Sequence, residues 1–193
     1  MSDIKTVCVY CGSRCPTEAY RKAAYETGKN IAQAGMNLVY GGSRSGLMGV
    51  VADAVLKYGG EATGVIPHHI QEQEDPHNEL TETIMVDTMH ERKQVMVDRS
   101  DAFITLCGGF GTLDETFEIL TWKQLELHDK PIILVNIEGY WAPFMDLVNH
   151  VVDEGLAESK HLKLFEVIKD PSQLITALKR QPEPVRATQT KYM

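Results

Sequence analysis

Short apolar runs alternate with helix-period patterns along almost the whole chain, and no other feature narrows its fold so far. "TVCVY" at 6–10 reads as a buried strand, and a helical pattern follows from about Thr17 to Ala34. "MNLVYGG" at 36–42 is the next strand, and "SGLMGVVADAVLKYGG" is a helix stopped by Gly59 and Gly60. "EATGVIP" at 61–67 gives a third strand. After it, "HHIQEQEDPHNELTETIMV" is a looser acidic stretch, and "MHERKQVMVDRS" at 89–100 is a helix. A strand in "DAFITL" opens onto Gly-Gly-Phe-Gly, and a helix runs from Thr112 to about His128. "KPIILVNI" at 130–137, a helix closed by Gly155, a short strand in "LKLFEVI" and a helix in "PSQLITALKR" follow. Such alternation means a parallel sheet with helices on both faces. The expectation is one doubly wound α/β domain over residues 1–180, with a polar tail at 181–193 that has no apolar period.

Charge and cysteine usage bound the partners. The 193 residues carry a formal net charge of −8, so no basic footprint exists for nucleic acid. No segment approaches the roughly 20 apolar residues of a membrane span, and the first residues lack a leader pattern, so the chain reads as cytoplasmic. Cys8, Cys11 and Cys15 stand at C-x2-C-x3-C spacing, a faint metal pattern. Cys8 lies inside the first strand, however, where a buried thiol is the ordinary outcome, so no metal is expected.

In doubly wound sheets ligands sit at the carboxyl ends of strands. The glycines fall there: Gly12 with Ser13 after the first strand, Gly41 and Gly42 after the second, Gly108 and Gly109 after the "DAFITL" strand. "GGFGTLDE" is the sharpest of these turns. Gly108, Gly109 and Gly111 let backbone amides approach a phosphate, and Thr112 is placed to cap the helix or donate its hydroxyl. The plainer alternative is a connecting turn. Glu115, one turn on, is either an acid favoured by the helix dipole or an ionised carboxylate that works on a sugar. Arg92 and Lys93 in "MHERK" are either a solvated basic face or ligands for phosphate, ribose hydroxyl or carboxylate. His90 could serve as a base, though a lone histidine is commonly structural.

"MHERK", "SDAFITLCGGFGTLDE" and "TWKQLELHDKPIIL" together closely resemble the Lonely Guy (LOG) family, cytokinin riboside 5′-monophosphate phosphoribohydrolases that include members once labelled lysine decarboxylase-like. "YGGSRSGLMGVVADAVL" and "GVIPHHI" fit the same pattern, and the likeness runs from about Val7 to Val148. The family signature is Pro-Gly-Gly-x-Gly-Thr-x-x-Glu; Cys107 stands here where the proline is usual. The resemblance implies a Rossmann-like homodimer that hydrolyses the N-glycosidic bond of a nucleoside 5′-monophosphate, without cofactor or metal. It implies Arg92 and Glu115 as catalytic. It implies substrate contacts at Glu79, Arg92, Lys93, Gly108, Gly109, Phe110, Gly111, Thr112, Leu113, Asp114, Glu115 and Thr121; Gly42 and Ser13 join them from the rim pattern. Met89, Val95, Met96 and Val97 suggest that their helix, with the one after Gly111, borders the subunit contact. No lysine context argues for pyridoxal phosphate. The alternative from another class is a module of the same fold that holds a nucleotide or phosphorylated cofactor without turning it over.

Overall fold

The computed structural model describes residues 4–71 and 76–180. Among these residues seven strands form one parallel sheet: β1 (Thr6–Tyr10), β2 (Asn37–Tyr40), β3 (Ala62–Pro67), β4 (Glu82–Val86), β5 (Ala102–Thr105), β6 (Ile132–Val135) and β7 (Glu166–Ile168). Their spatial order is β4-β3-β2-β1-β5-β6-β7. The chain winds outward from β1 to one edge, then returns to the other side of β1 and winds to the opposite edge. The order therefore reverses once, between β1 and β5, and the crevice at that reversal is where such sheets place a ligand.

Among the described residues the α-helices are α1 (Glu18–Gln33), α2 (Gly46–Lys57), α3 (His68–Gln71), α4 (Met89–Asp98), α5 (Phe110–Gln124), α6 (Ala142–Asp153) and α7 (Leu174–Lys179). Strand alternation sends Val7, Val9, Leu38, Tyr40 and Ile104 to one core with α1, α2 and α7. Cys8, Tyr10, Val39, Phe103 and Leu134 face the other core, with α4, α5 and α6. All four residues of β5 and of β6 are buried, which is why both read as continuous apolar runs. Local chemistry sets two helix starts: Thr17 accepts from the Tyr20 amide at 3.2 Å, and Thr88 from the Glu91 amide at 3.1 Å.

Three sequence expectations change. The acidic stretch contains a strand, β4; it is an edge strand that begins with exposed Glu82 and Thr83, so it shows no apolar run. The helix after the glycines begins at Phe110, with Gly109 as its cap, so Thr112 is inside the first turn instead of capping it. Met96 and Val97 are core residues of α4 and offer nothing to a subunit contact. The expected tail at 181–193 lies outside the described residues. No helix among the described residues is long and apolar enough to cross a membrane.

Candidate active site

The loops after β1 and β5 meet at the reversal. The Gly12 amide donates to the Cys107 carbonyl at 3.0 Å, and the Leu47 amide of α2 donates to the Gly12 carbonyl at 3.0 Å. Cys107 thus occupies the usual proline position as a buried residue whose backbone ties two rim loops; burial pushes its thiol up to about 12. Gly108 follows with no room for a side chain, since an added Cβ would lie 2.0 Å from Thr112 Oγ1. Gly109 and Gly111 face open space. The Tyr140 hydroxyl, from the turn after β6, donates to the Gly108 carbonyl. A trans peptide sets its C=O and N–H on opposite sides. Fixing the Gly108 oxygen therefore also fixes the direction of the Gly109 amide, one of the four donors at the start of α5 that have no partner within the helix.

Arg92 rises from α4 beneath this rim and is 6% exposed. Its Nε donates to the Val65 carbonyl at 3.0 Å and its Nη2 to the Gly41 carbonyl at 2.8 Å, so it stitches the ends of β3 and β2. Gly41 is needed for that approach: a Cβ there would fall 2.2 Å from Nη2. Lys93 joins α4 to α5, with Nζ 3.1 Å from Asp114 and 3.0 Å from Glu118. Burial lowers the Lys93 pKa, but hydrogen bonds to Glu118 and Asp114 outweigh it and leave the pKa above its ordinary value.

Glu115 stands between these groups. Loss of hydration pushes its carboxyl up to about 7; Arg92 and Lys93 pull it down, while Asp114 and Glu118 push it further up. The sequence suggests a carboxylate that the helix dipole keeps ionised, but the helix begins at Phe110, so Glu115 sits in its second turn, where the dipole is weaker. Desolvation is the larger effect, and the group is poised between acid and carboxylate near neutrality.

The remaining candidate residues divide. Ser13 is exposed and Gly42 buried on the same carboxyl rim. Phe110 is 91% exposed, Asp114 is on the surface and Leu113 packs partly into the α4–α5–α6 core. Thr121 is six residues beyond Glu115, about 9 Å along α5 and on another face of it; its hydroxyl donates to the Phe117 carbonyl at 2.7 Å. On the same carboxyl rim, where the His77 amide donates to the Gly42 carbonyl at 3.1 Å beside the Gly41 carbonyl that holds Arg92, lies Glu79. Its amide donates to His77 Nδ1, while His77 Nε2 lies 3.0 Å from Asp53 of α2 and neighbouring Leu80 packs into the α1–α2 core. Two groups went unread in the sequence. Tyr140 could have been found by applying the strand-end rule to β6 as well. The His77–Asp53 contact spans 24 positions and leaves no local signal.

Fold and rim together are those of an α/β protein built to work at the carboxyl edge of its sheet. A family model described as "Possible lysine decarboxylase" matches residues 48–178. The chain is 39% identical over 178 residues to a cytokinin riboside 5′-monophosphate phosphoribohydrolase of Arabidopsis thaliana, covering 92% of this chain and 78% of that one. It is 44% identical over 155 residues to one from Oryza sativa subsp. japonica, covering 80% and 64%. Among solved structures, a molybdenum cofactor binding protein from Rippkaea orientalis aligns with a TM-score of 0.70 at 22% identity, covering 93% and 98%, a likeness of fold alone. The chain belongs to the Lonely Guy family.

Proposed function

We propose that the protein hydrolyses the N-glycosidic bond of a nucleoside 5′-monophosphate, either AMP or an N6-substituted relative such as a cytokinin riboside monophosphate. Water adds across the bond: its hydroxyl goes to the anomeric carbon and its proton to the departing base, giving ribose 5-phosphate. The 5′-phosphate takes the amides of Gly109 and Gly111 at the start of α5, with Ser13 and Gly42 on the same rim. Glu115, as carboxylate, stabilises the oxocarbenium-like sugar or orients the water. Arg92, anchored on two carbonyls, keeps its positive charge fixed beside Glu115. Its planar fork suits a ribose hydroxyl.

The single observation behind this reading is the carboxyl of Glu115, partly desolvated beside Arg92, in the second turn of a helix with an open glycine cap. A module that only holds a nucleotide has no chemical need for that carboxyl. Incubation with AMP and with N6-isopentenyl-AMP, followed by chromatography, is expected to show free base and ribose 5-phosphate from at least one of them. Release from neither overturns the proposal. The family relatives named above favour the cytokinin substrate, and rates measured side by side decide between the two. The same reading takes residues 1–180 as one catalytic domain working as a homodimer. The four free cysteines suit the reducing cytoplasm.

A further inference from the structure

α5 starts at the glycine rim and ends about 20 Å away, at the amino edge of the sheet. Lys123 sits in its last turn and is only 7% exposed. Its Nζ donates one hydrogen bond, to the Lys130 carbonyl at 2.9 Å, and among the described residues no carboxylate pairs with it. Carbonyls of the last turn and of Lys130 compensate the ammonium only in part. Loss of hydration pushes its pKa down to about 8, against a smaller upward pull from Asp129, so it still carries its charge near neutrality. A buried cation without a counter-ion is costly, and proteins commonly neutralise it or supply an anion. Neither has happened here.

Lys123 lines a cavity of about 460 Å³ at the amino ends of β6 and β7. That volume falls in the range of small-molecule sites, roughly 300–1,000 Å³. Its apolar lining includes Pro131, Leu162, Phe165 and Val167, with Leu162 37% exposed. Lys123, Lys163, Arg180 and Glu166 line the cavity, and Glu166 holds Arg180 at 2.6 Å.

We propose that this cavity is a second ligand site, remote from the candidate active site, which takes a small carboxylate with an apolar body. The carboxylate meets Lys123 Nζ, and the body lies against Leu162 and Phe165. An inorganic anion would satisfy the charge and leave the apolar walls wet, so the shape and the charge together call for an amphipathic acid. The inference stands apart from the hydrolase reading and holds or fails without it.

The test is calorimetric titration of the whole chain with hexanoate, and with hexan-1-ol as the neutral body of the same length. Saturable one-site binding of hexanoate is expected, with Kd below about 1 mM. Hexan-1-ol should bind at least about tenfold more weakly, the loss of roughly one charge-assisted hydrogen bond. Lys123→Met should weaken hexanoate by a similar factor while it stays folded, since an apolar side chain of similar length replaces an uncompensated charge. The acid–alcohol contrast is read on the unaltered chain and decides the matter even if the variant fails to fold. Absence of saturable hexanoate binding, equal binding of the alcohol, or unchanged affinity in Lys123→Met overturns the proposal.

Discussion

Glu115 is where the sequence and the structure pull in different directions. The pattern "GTLDE" places an acid in the first turns of a helix, and the dipole argument alone makes it an ordinary ionised carboxylate. Folding leaves it half-buried, and this loss of hydration moves its pKa from 4.5 to about 7. The sign of the consequence follows from linkage. Between those two values the folded state binds the proton more tightly than the unfolded chain. Stability therefore falls as pH rises through that window, and the penalty is fully present above about 7. Glu115→Gln should accordingly melt higher than the parent above that pH and show no such gain below about 4.5. Its turnover should drop by about 10²-fold or more, the scale of a lost electrostatic group, while nucleotide still binds. In the parent enzyme kcat/KM should fall tenfold per unit as pH drops below about 7, in the residue's carboxylate role. The substrate phosphate titrates near 6, so the assignment requires that the break near 7 vanish from the residual activity of Glu115→Gln. Near-normal turnover in the variant would remove Glu115 from the chemistry.

At the scale of elements, the buried strands were legible because a strand covered on both faces must be apolar throughout, as β5 and β6 are. β4 was not, because an edge strand with Glu82 and Thr83 in water carries no such run. The glycine turn was legible as a turn. What directs its amides was not, because Tyr140 reaches it from 32 residues away. This pairing makes a prediction about the loop as a unit. Adenosine and AMP share a glycosidic bond and differ only in the group that the start of α5 should hold. The monophosphate should be favoured by roughly 10²-fold in kcat/KM, about 3 kcal/mol at the transition state, and sulfate should compete. Tyr140→Phe keeps the ring that meets Tyr20 and Trp141 edge-on and removes only the hydroxyl. Its KM for AMP should rise several-fold, with the rate on adenosine left as it was. Equal loss on both substrates would mean that Tyr140 serves the fold and not the phosphate seat.

The whole molecule leaves one face of α5 unexplained. The buried side carries Thr112, Thr116, Ile119 and Lys123. Phe110, Phe117 and Thr121 recur at steps of seven and four, which puts them together on the opposite side. Phe110 is 91% exposed and Phe117 41%, and Leu147 of α6 is 49% exposed. Sequence reasoning placed the subunit contact on α4 as well, because Met96 and Val97 look surplus to one face; the second core absorbs both. On α5 and α6 themselves the exposed large apolar residues are Phe110, Phe117 and Leu147; others, such as Leu127 and Leu156, lie in the loops after them. A two-fold pairing is the commonest closed assembly for such a surface. It would also give Thr121 a role, because a residue turned away from its own Glu115 is available to the site of a partner. Sedimentation velocity at micromolar concentration should therefore show a dimer. Phe117→Asp should shift it to monomer with its circular dichroism retained. Leu147→Asp should do the same without disturbing the Phe117–Phe144 ring contact at 5.1 Å. If Thr121 acts across the interface, both monomeric variants lose activity, whereas a monomeric parent, or monomeric variants at full rate, would confine the site to a single chain.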